Sequence, residues 1–134
     1  MKIKKFEEFE QLNEEVKLSK VVKKENIDGF TILIGRNAEA NDILTTEIAK
    51  PTDLWFHSSD GVPGSHVVIR VEEEYPSNEV IKKVAKLAAE NSKGEGKIKV
   101  VYTEAKNVTK PSGMKTGQVM VDYDKSKFIT IHKN

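Results

Sequence analysis

Between Asp53 and His66 the chain reads Asp-Leu-Trp-Phe-His-Ser-Ser-Asp-Gly-Val-Pro-Gly-Ser-His, and this stretch restricts the fold more than any other. It holds the only tryptophan, Trp55, and two of the three histidines. A buried-looking strand runs into a polar turn and out into a second strand. Trp55 and His57 are two apart, so on a strand they share one face, with Leu54 and Phe56 on the other. His66 and Arg70 share a face of the second strand, opposite Val67, Ile69 and Val71. Gly61, Pro63 and Gly64 shape the turn between them. Two strands then offer an aromatic ring, two imidazoles and a guanidinium on one surface. The plainer alternative is a core tryptophan beside two satisfied histidines, and pattern alone favours it.

The rest of the chain supplies partners for this unit. Phe30–Ile34 is apolar on both faces and reads as an interior strand. Gly35-Arg36-Asn37 breaks it, and a helix is expected over 38–49, capped by Asn37, with Ala40, Ile43, Leu44 and Ile48 as its stripe. A strand ending in Gly-Arg-Asn at a helix start suits an anion. A plain turn with Arg36 paired to a carboxylate is an equal alternative. Ser77 caps a second helix with Val80, Ile81, Val84, Leu87 and Ala88 inward, ended near Gly94. Ile98–Thr103 is a strand. Residues 104–115 form a long polar loop, and Val119–Tyr123 and Phe128–His132 read as a hairpin. Strands that both alternate with helices and pair as hairpins imply one α+β domain with a mixed or mainly antiparallel sheet and two or three helices. It is expected over residues 27–134. Residues 1–26 precede it as an amphipathic helix over 5–18 (Phe6, Phe9, Leu12, Val16) and a Lys-rich linker over 19–27.

Several function classes are excluded or weakened. There is no cysteine, so no disulfide scaffold, thiolate metal site or cysteine nucleophile exists. No apolar run approaches the roughly 20 residues of a membrane span, and no secretory leader is visible. Ser65, His57 or His66, and Asp53 or Asp60 could be assembled into a triad, but no nucleophile-elbow context surrounds them. Metal-ligand spacing and phosphate-binding glycine loops are absent, so neither metal nor cofactor is expected. Residues 93–134 carry nine lysines against four carboxylates. That excess suits either a solvated surface or a phosphate-facing one.

The segments DGFTILIGRNAEANDILT, DLWFHSSDGVPGSHVVIR, KLAAENSK and KVVYTEAKNVTKPSGMKTGQVMV together resemble the NFACT-R domain. This domain occurs in ribosome-associated quality-control proteins of the NEMF and RqcH type and as a stand-alone protein. The resemblance covers about residues 27–132. It implies a cytoplasmic RNA-binding domain that contacts tRNA or rRNA on the large ribosomal subunit, in a stand-alone form without the other modules of the larger proteins. Tail synthesis on stalled peptides is therefore not carried over.

With that resemblance in place, Arg36 and the helix start at Asn37 are expected to hold a phosphate, and Lys106 and Lys110 the nearby backbone. Trp55, His57 and His66 would form the floor that stacks on or hydrogen-bonds a base or ribose, with Asn41 and Ser65 beside them. Asp42 and Asp53 would orient Arg36 and the histidines. The rival readings are an RNA-processing or tRNA-modifying enzyme with His57 and His66 as acid and base, and a protein-interaction module. The first residues, with Leu12-Asn13-Glu14, look somewhat like a cleavable peptide of large tailed bacteriophages; a plain amphipathic helix explains them as well.

Overall fold

The structure, a computed structural model, describes residues 18–133. The expected amphipathic helix over 5–18 and the phage-like peptide lie essentially outside these residues. Six strands form one sheet: β1 (Val22–Ile27), β2 (Phe30–Gly35), β3 (Leu54–Ser58), β4 (Val67–Ile69), β5 (Gly96–Glu104) and β8 (Lys127–Lys133). Their spatial order is β1-β2-β4-β3-β5-β8, and every neighbouring pair is antiparallel. Two short strands, β6 (Val108–Thr109) and β7 (Met120–Val121), pair separately. This is the α+β fold expected from the sequence, in its mainly antiparallel form.

Alternation along the strands sorts two cores onto the two faces. Ile32, Ile34, Leu54, Phe56, Ile98 and Val100 face helix α2 (Asn78–Glu90). Ser77 caps α2 as its spacing predicts, accepting a hydrogen bond from the Val80 amide. On the second face Leu33, Trp55, Val68 and Val101 pack under Leu44, Ala105 and Val108. That face is covered by helix α1 (Ala38–Ile43), a π-helical turn (Leu44–Ile48) and the segment carrying β6 and β7. The single helix expected over 38–49 thus changes pitch at Leu44, where the Ala49 amide reaches back five residues to the Leu44 carbonyl at 2.8 Å.

Two expectations are corrected. Residues 22–27, read as linker, are strand β1, paired along its length with β2. The turn between them is Asp28-Gly29, both at positive φ (51° and 91°), which matches the right-handed twist of a two-residue hairpin. The domain therefore begins before Asn26. The hairpin expected between 119–123 and 128–132 does not form. Met120 pairs with Thr109, a 3₁₀ turn at Tyr123–Lys125 redirects the chain, and β8 pairs with β5. The reason is burial: in that register Ile129 and Ile131 pack against the α2-side core.

Candidate nucleic-acid interface

The β3–β4 unit is antiparallel, as its sequence requires, with Trp55 opposite Val68. Its turn crosses Asp60 and Gly61 at positive φ (59° and 75°). Ser65 and Lys93 amides bond to the Asn91 and Pro63 carbonyls and tie the turn to the end of α2. Asn41 fixes it from the other side. Its Oδ1 accepts the His66 amide at 3.0 Å, and its Nδ2 donates to the Gly64 carbonyl at 3.3 Å. The close approach needs Gly35, since a Cβ there would stand 2.0 Å from Asn41 Oδ1.

Between this turn, the start of α1 and the loop 114–121 lies a cleft of about 680 Å³. Asn37, Asn41, Trp55, His57, Ser65 and His66 all border it. The three rings cluster at centroid separations of 4.8 to 5.8 Å. Of the expected floor, His57 is half-buried, whereas Trp55 and His66 have no exposure at all. In this arrangement Trp55 stacks on no base. The π-helical turn covers its face of β3, and Nε1 donates to Thr45 Oγ1 at 3.0 Å. Thr45 Oγ1 also lies 2.7 Å from His66 Nδ1. Indole can only donate, so the hydroxyl accepts there and has its own proton for Nδ1. His66 Nε2 has no hydrogen-bond partner among the described residues. Burial, and then the neighbouring His57, push the His66 pKa down to about 3. Burial also lowers that of His57, despite its contact with the Gly64 carbonyl. Both rings are therefore neutral near pH 7. An acid–base pair would need a histidine charged or close to it, and a substrate that reaches His66.

The cationic residues divide. Arg36 is exposed, with Nε donating to the Ser19 carbonyl at 3.0 Å, and Lys106 is exposed beside Glu104 at 3.7 Å. Neither borders the cleft itself. Lys110 is different: its side chain is 19% exposed and its ammonium is occupied. It donates to the Lys115 carbonyl, to the Gln118 carbonyl at 2.6 Å, and meets Asp42 Oδ1 at 3.3 Å. Asp42 Oδ2 accepts the Gly117 amide at 3.0 Å. Lys110 and Asp42 thus strap the loop 110–118 to α1, and Asp42 does not orient Arg36. Asp53 does not orient the histidines either. It is fully buried and accepts from the Lys50 and Val71 amides, both at 2.9 Å, and from Arg70 at 3.3 Å. Asn37 Oδ1 caps α1 through the Ala40 amide while the residue stays exposed at the rim.

Sequence reasoning missed Thr45. Its signal was there: Asn41 and Thr45 are four apart, which puts two polar groups on the inward side of a helix. It also missed Tyr123, which borders the cleft from the 3₁₀ turn. No group of metal-ligating side chains occurs among the described residues, and no helix there is long and apolar enough to cross a membrane.

A family model described as the NFACT protein RNA binding domain matches residues 20–123. The chain is 42% identical over 108 residues to the Rqc2 homolog RqcH of Bacillus subtilis, covering 79% of this chain and 18% of that protein. It is 44% identical over 106 residues to the RqcH of Streptococcus suis, covering 77% and 19%. The chain thus spans about a fifth of the length of these curated relatives. A solved structure of the C-terminal part of the fibronectin/fibrinogen-binding protein from Streptococcus suis superposes with a TM-score of 0.72 at 38% identity, covering 84% of this chain and 45% of that one.

Proposed function

The chain belongs to the NFACT RNA-binding domain family, and from that membership and the cleft we propose that it binds structured RNA, tRNA or rRNA, in ribosome-associated quality control or translation. Its setting would be the cytoplasm, on or near the large ribosomal subunit. The observation that carries this reading is the convergence of the motif residues. Asn37 and Asn41, Trp55 and His57, and Ser65 and His66 come from three separate stretches and meet at one cleft. The roles within it differ from those a flat reading of the motifs assigns. Trp55, His66, Asn41, Asp42 and Lys110 build the walls. Groups that reach solvent make the contacts: Arg36 and Lys106, outside the cleft, to phosphates, and Asn37, Ser65 and the half-buried edge of His57, at the cleft, to ribose or base.

The test is a titration with a tRNA mixture over a sodium chloride series. Each cation that neutralises a phosphate adds about 0.7 to 0.9 to the log–log slope. Arg36→Ala should remove one such increment and weaken binding to all RNAs alike. Crosslinking the wild-type protein and sequencing the recovered RNA names the class. Failure to bind any RNA at low salt would refute the reading.

A further inference from the structure

The register of β5 and β8 settles which side chains share the second face beyond the cleft. Lys97 pairs with His132, Lys99 with Thr130 and Val101 with Phe128. These six residues point away from α2, whose side takes Ile98, Val100, Ile129 and Ile131. The covering segment reaches Val101 and stops. Past it the surface is open. Phe128 is 42% exposed and Tyr123 56%. The two rings lie nearly parallel, at 11°, with centroids 6.1 Å apart. Lys99 Nζ sits 4.6 Å from the Phe128 centroid, and Lys97, Thr130 and His132 are exposed around it. No carboxylate stands on this face of either strand. Tyr123 also borders the cleft, so the two surfaces are continuous.

We propose that this face is a stacking platform for unpaired bases of single-stranded RNA, with Tyr123 and Phe128 receiving the bases and Lys97 and Lys99 the adjoining backbone. The proposal rests on the RNA-binding reading and extends it past the cleft. Exposed rings held in place by one another lose little freedom on receiving a base, and every base has a face to stack. Lysine is depleted at the centres of protein–protein interfaces, whereas here lysines flank both rings. A duplex keeps its bases stacked internally and offers the platform only phosphates.

The experiment is fluorescence anisotropy with a labelled single-stranded RNA oligonucleotide and a fully paired RNA hairpin, each over a salt series. Phe128→Ala and Tyr123→Ala should each weaken single-strand binding about tenfold and leave the salt slope unchanged. Binding to the hairpin should change little. Phe128→Trp should retain single-strand affinity, and Lys99→Gln should flatten the slope by about 0.7. Thermal melting checks that the variants stay folded. If wild type binds both RNAs and folded Phe128→Ala and Tyr123→Ala bind the single strand as wild type does, the platform is wrong and the RNA reading stands. If wild type binds neither RNA, both fall. A nuclease-resistant protein complex lost in the same variants, with RNA affinity intact, would reassign the face to a protein partner.

Discussion

Replacing Lys110 by Met separates a phosphate-binding lysine from an internal strap. The substitution keeps most of the aliphatic stem and removes the ammonium. Two carbonyls, those of Lys115 and Gln118, then lose a donor, and Asp42 Oδ1 loses its ion-pair partner. The two carbonyls belong to exposed residues, and water can replace much of what they lose. Asp42 Oδ1 is buried and has the Lys110 ammonium beside it, so its loss is not recovered without movement. A hydrogen bond to a charged group contributes about 1.5–3 kcal/mol, and stranding a buried one costs at least as much. With the side chains 19% and 21% exposed, solvent reduces the ion-pair part, and about 2–4 kcal/mol remains. Urea unfolding measures it. Amide exchange at Gly117, whose N–H is held by Asp42, should accelerate by an order of magnitude or more. Lys106→Met is the control: its ion pair is exposed, and the change should stay within about 0.5 kcal/mol. If Lys110→Met leaves stability and Gly117 exchange unchanged but lowers the RNA salt slope by about 0.7 to 0.9, Lys110 is a free phosphate contact and does not strap the loop.

Thr45→Val keeps the shape and strands both the Trp55 indole N–H and His66 Nδ1, so unfolding free energy should fall by about 2–4 kcal/mol. An unchanged denaturation midpoint would dissolve the network. Gly35→Ala puts a methyl group against Asn41 Oδ1, so the Asn41–His66 bond must open and the turn 59–66 must shift; amide exchange at His66 reports it, and a wild-type rate would contradict the packing. Stability should also fall with pH. His66 titrates near 6.5 unfolded and about 3 folded, so its contribution is complete above pH 6.5 and declines by about 1.4 kcal/mol per pH unit as pH drops toward 3. His57 adds in the same direction. A His66→Asn variant should show a shallower decline, and an equal one would show that His66 is not held neutral.

Where one local rule dominates, the fold was readable. Alternation in Leu54–Ser58 and Phe30–Ile34, and the Ser77-capped stripe of α2, each became the element expected. Where two rules competed, composition pointed the wrong way. Residues 22–27 are rich in Lys and Glu, which suggests a linker. Yet an edge strand tolerates such residues on its open side, and charge there deters further pairing. The Asp28-Gly29 pair before an apolar run was the stronger sign. The hairpin expected after Val119 failed for a non-local reason. Two alternating runs separated by a short polar link look alike whether they pair with each other or with strands far away in sequence. The choice fell to which partner could bury Ile129 and Ile131, and only β5 beside α2 offers that.

The site poses a different problem, because residue type announces a cluster but not which of its members faces solvent. Trp, His, Asn, Asp and Lys in short motifs suggest a binding surface. The same residues are equally suited to building one, since each carries a polar group that must be satisfied when buried. Trp55, Thr45 and His66 satisfy one another in part, Asn41 holds the turn, and Lys110 with Asp42 holds the opposite loop. A cleft walled in this way keeps its shape before any ligand arrives, which reduces the ordering cost of binding. On the proposed reading, contact falls to the motif residues that reach solvent and to a platform that the motifs do not include. Phe128 and Tyr123 end the two runs that read as a hairpin; the β5–β8 register turns Phe128 outward beside Lys99, and the 3₁₀ turn brings Tyr123 against it. Substitutions in the walls and at the rim should therefore separate. Wall variants lose stability first and affinity with it, whereas rim and platform variants lose affinity at unchanged stability. Plotting RNA affinity against unfolding free energy for the Thr45, Lys110, Arg36 and Phe128 variants would expose that division. A single line through all four points would mean that walls and contacts are the same residues.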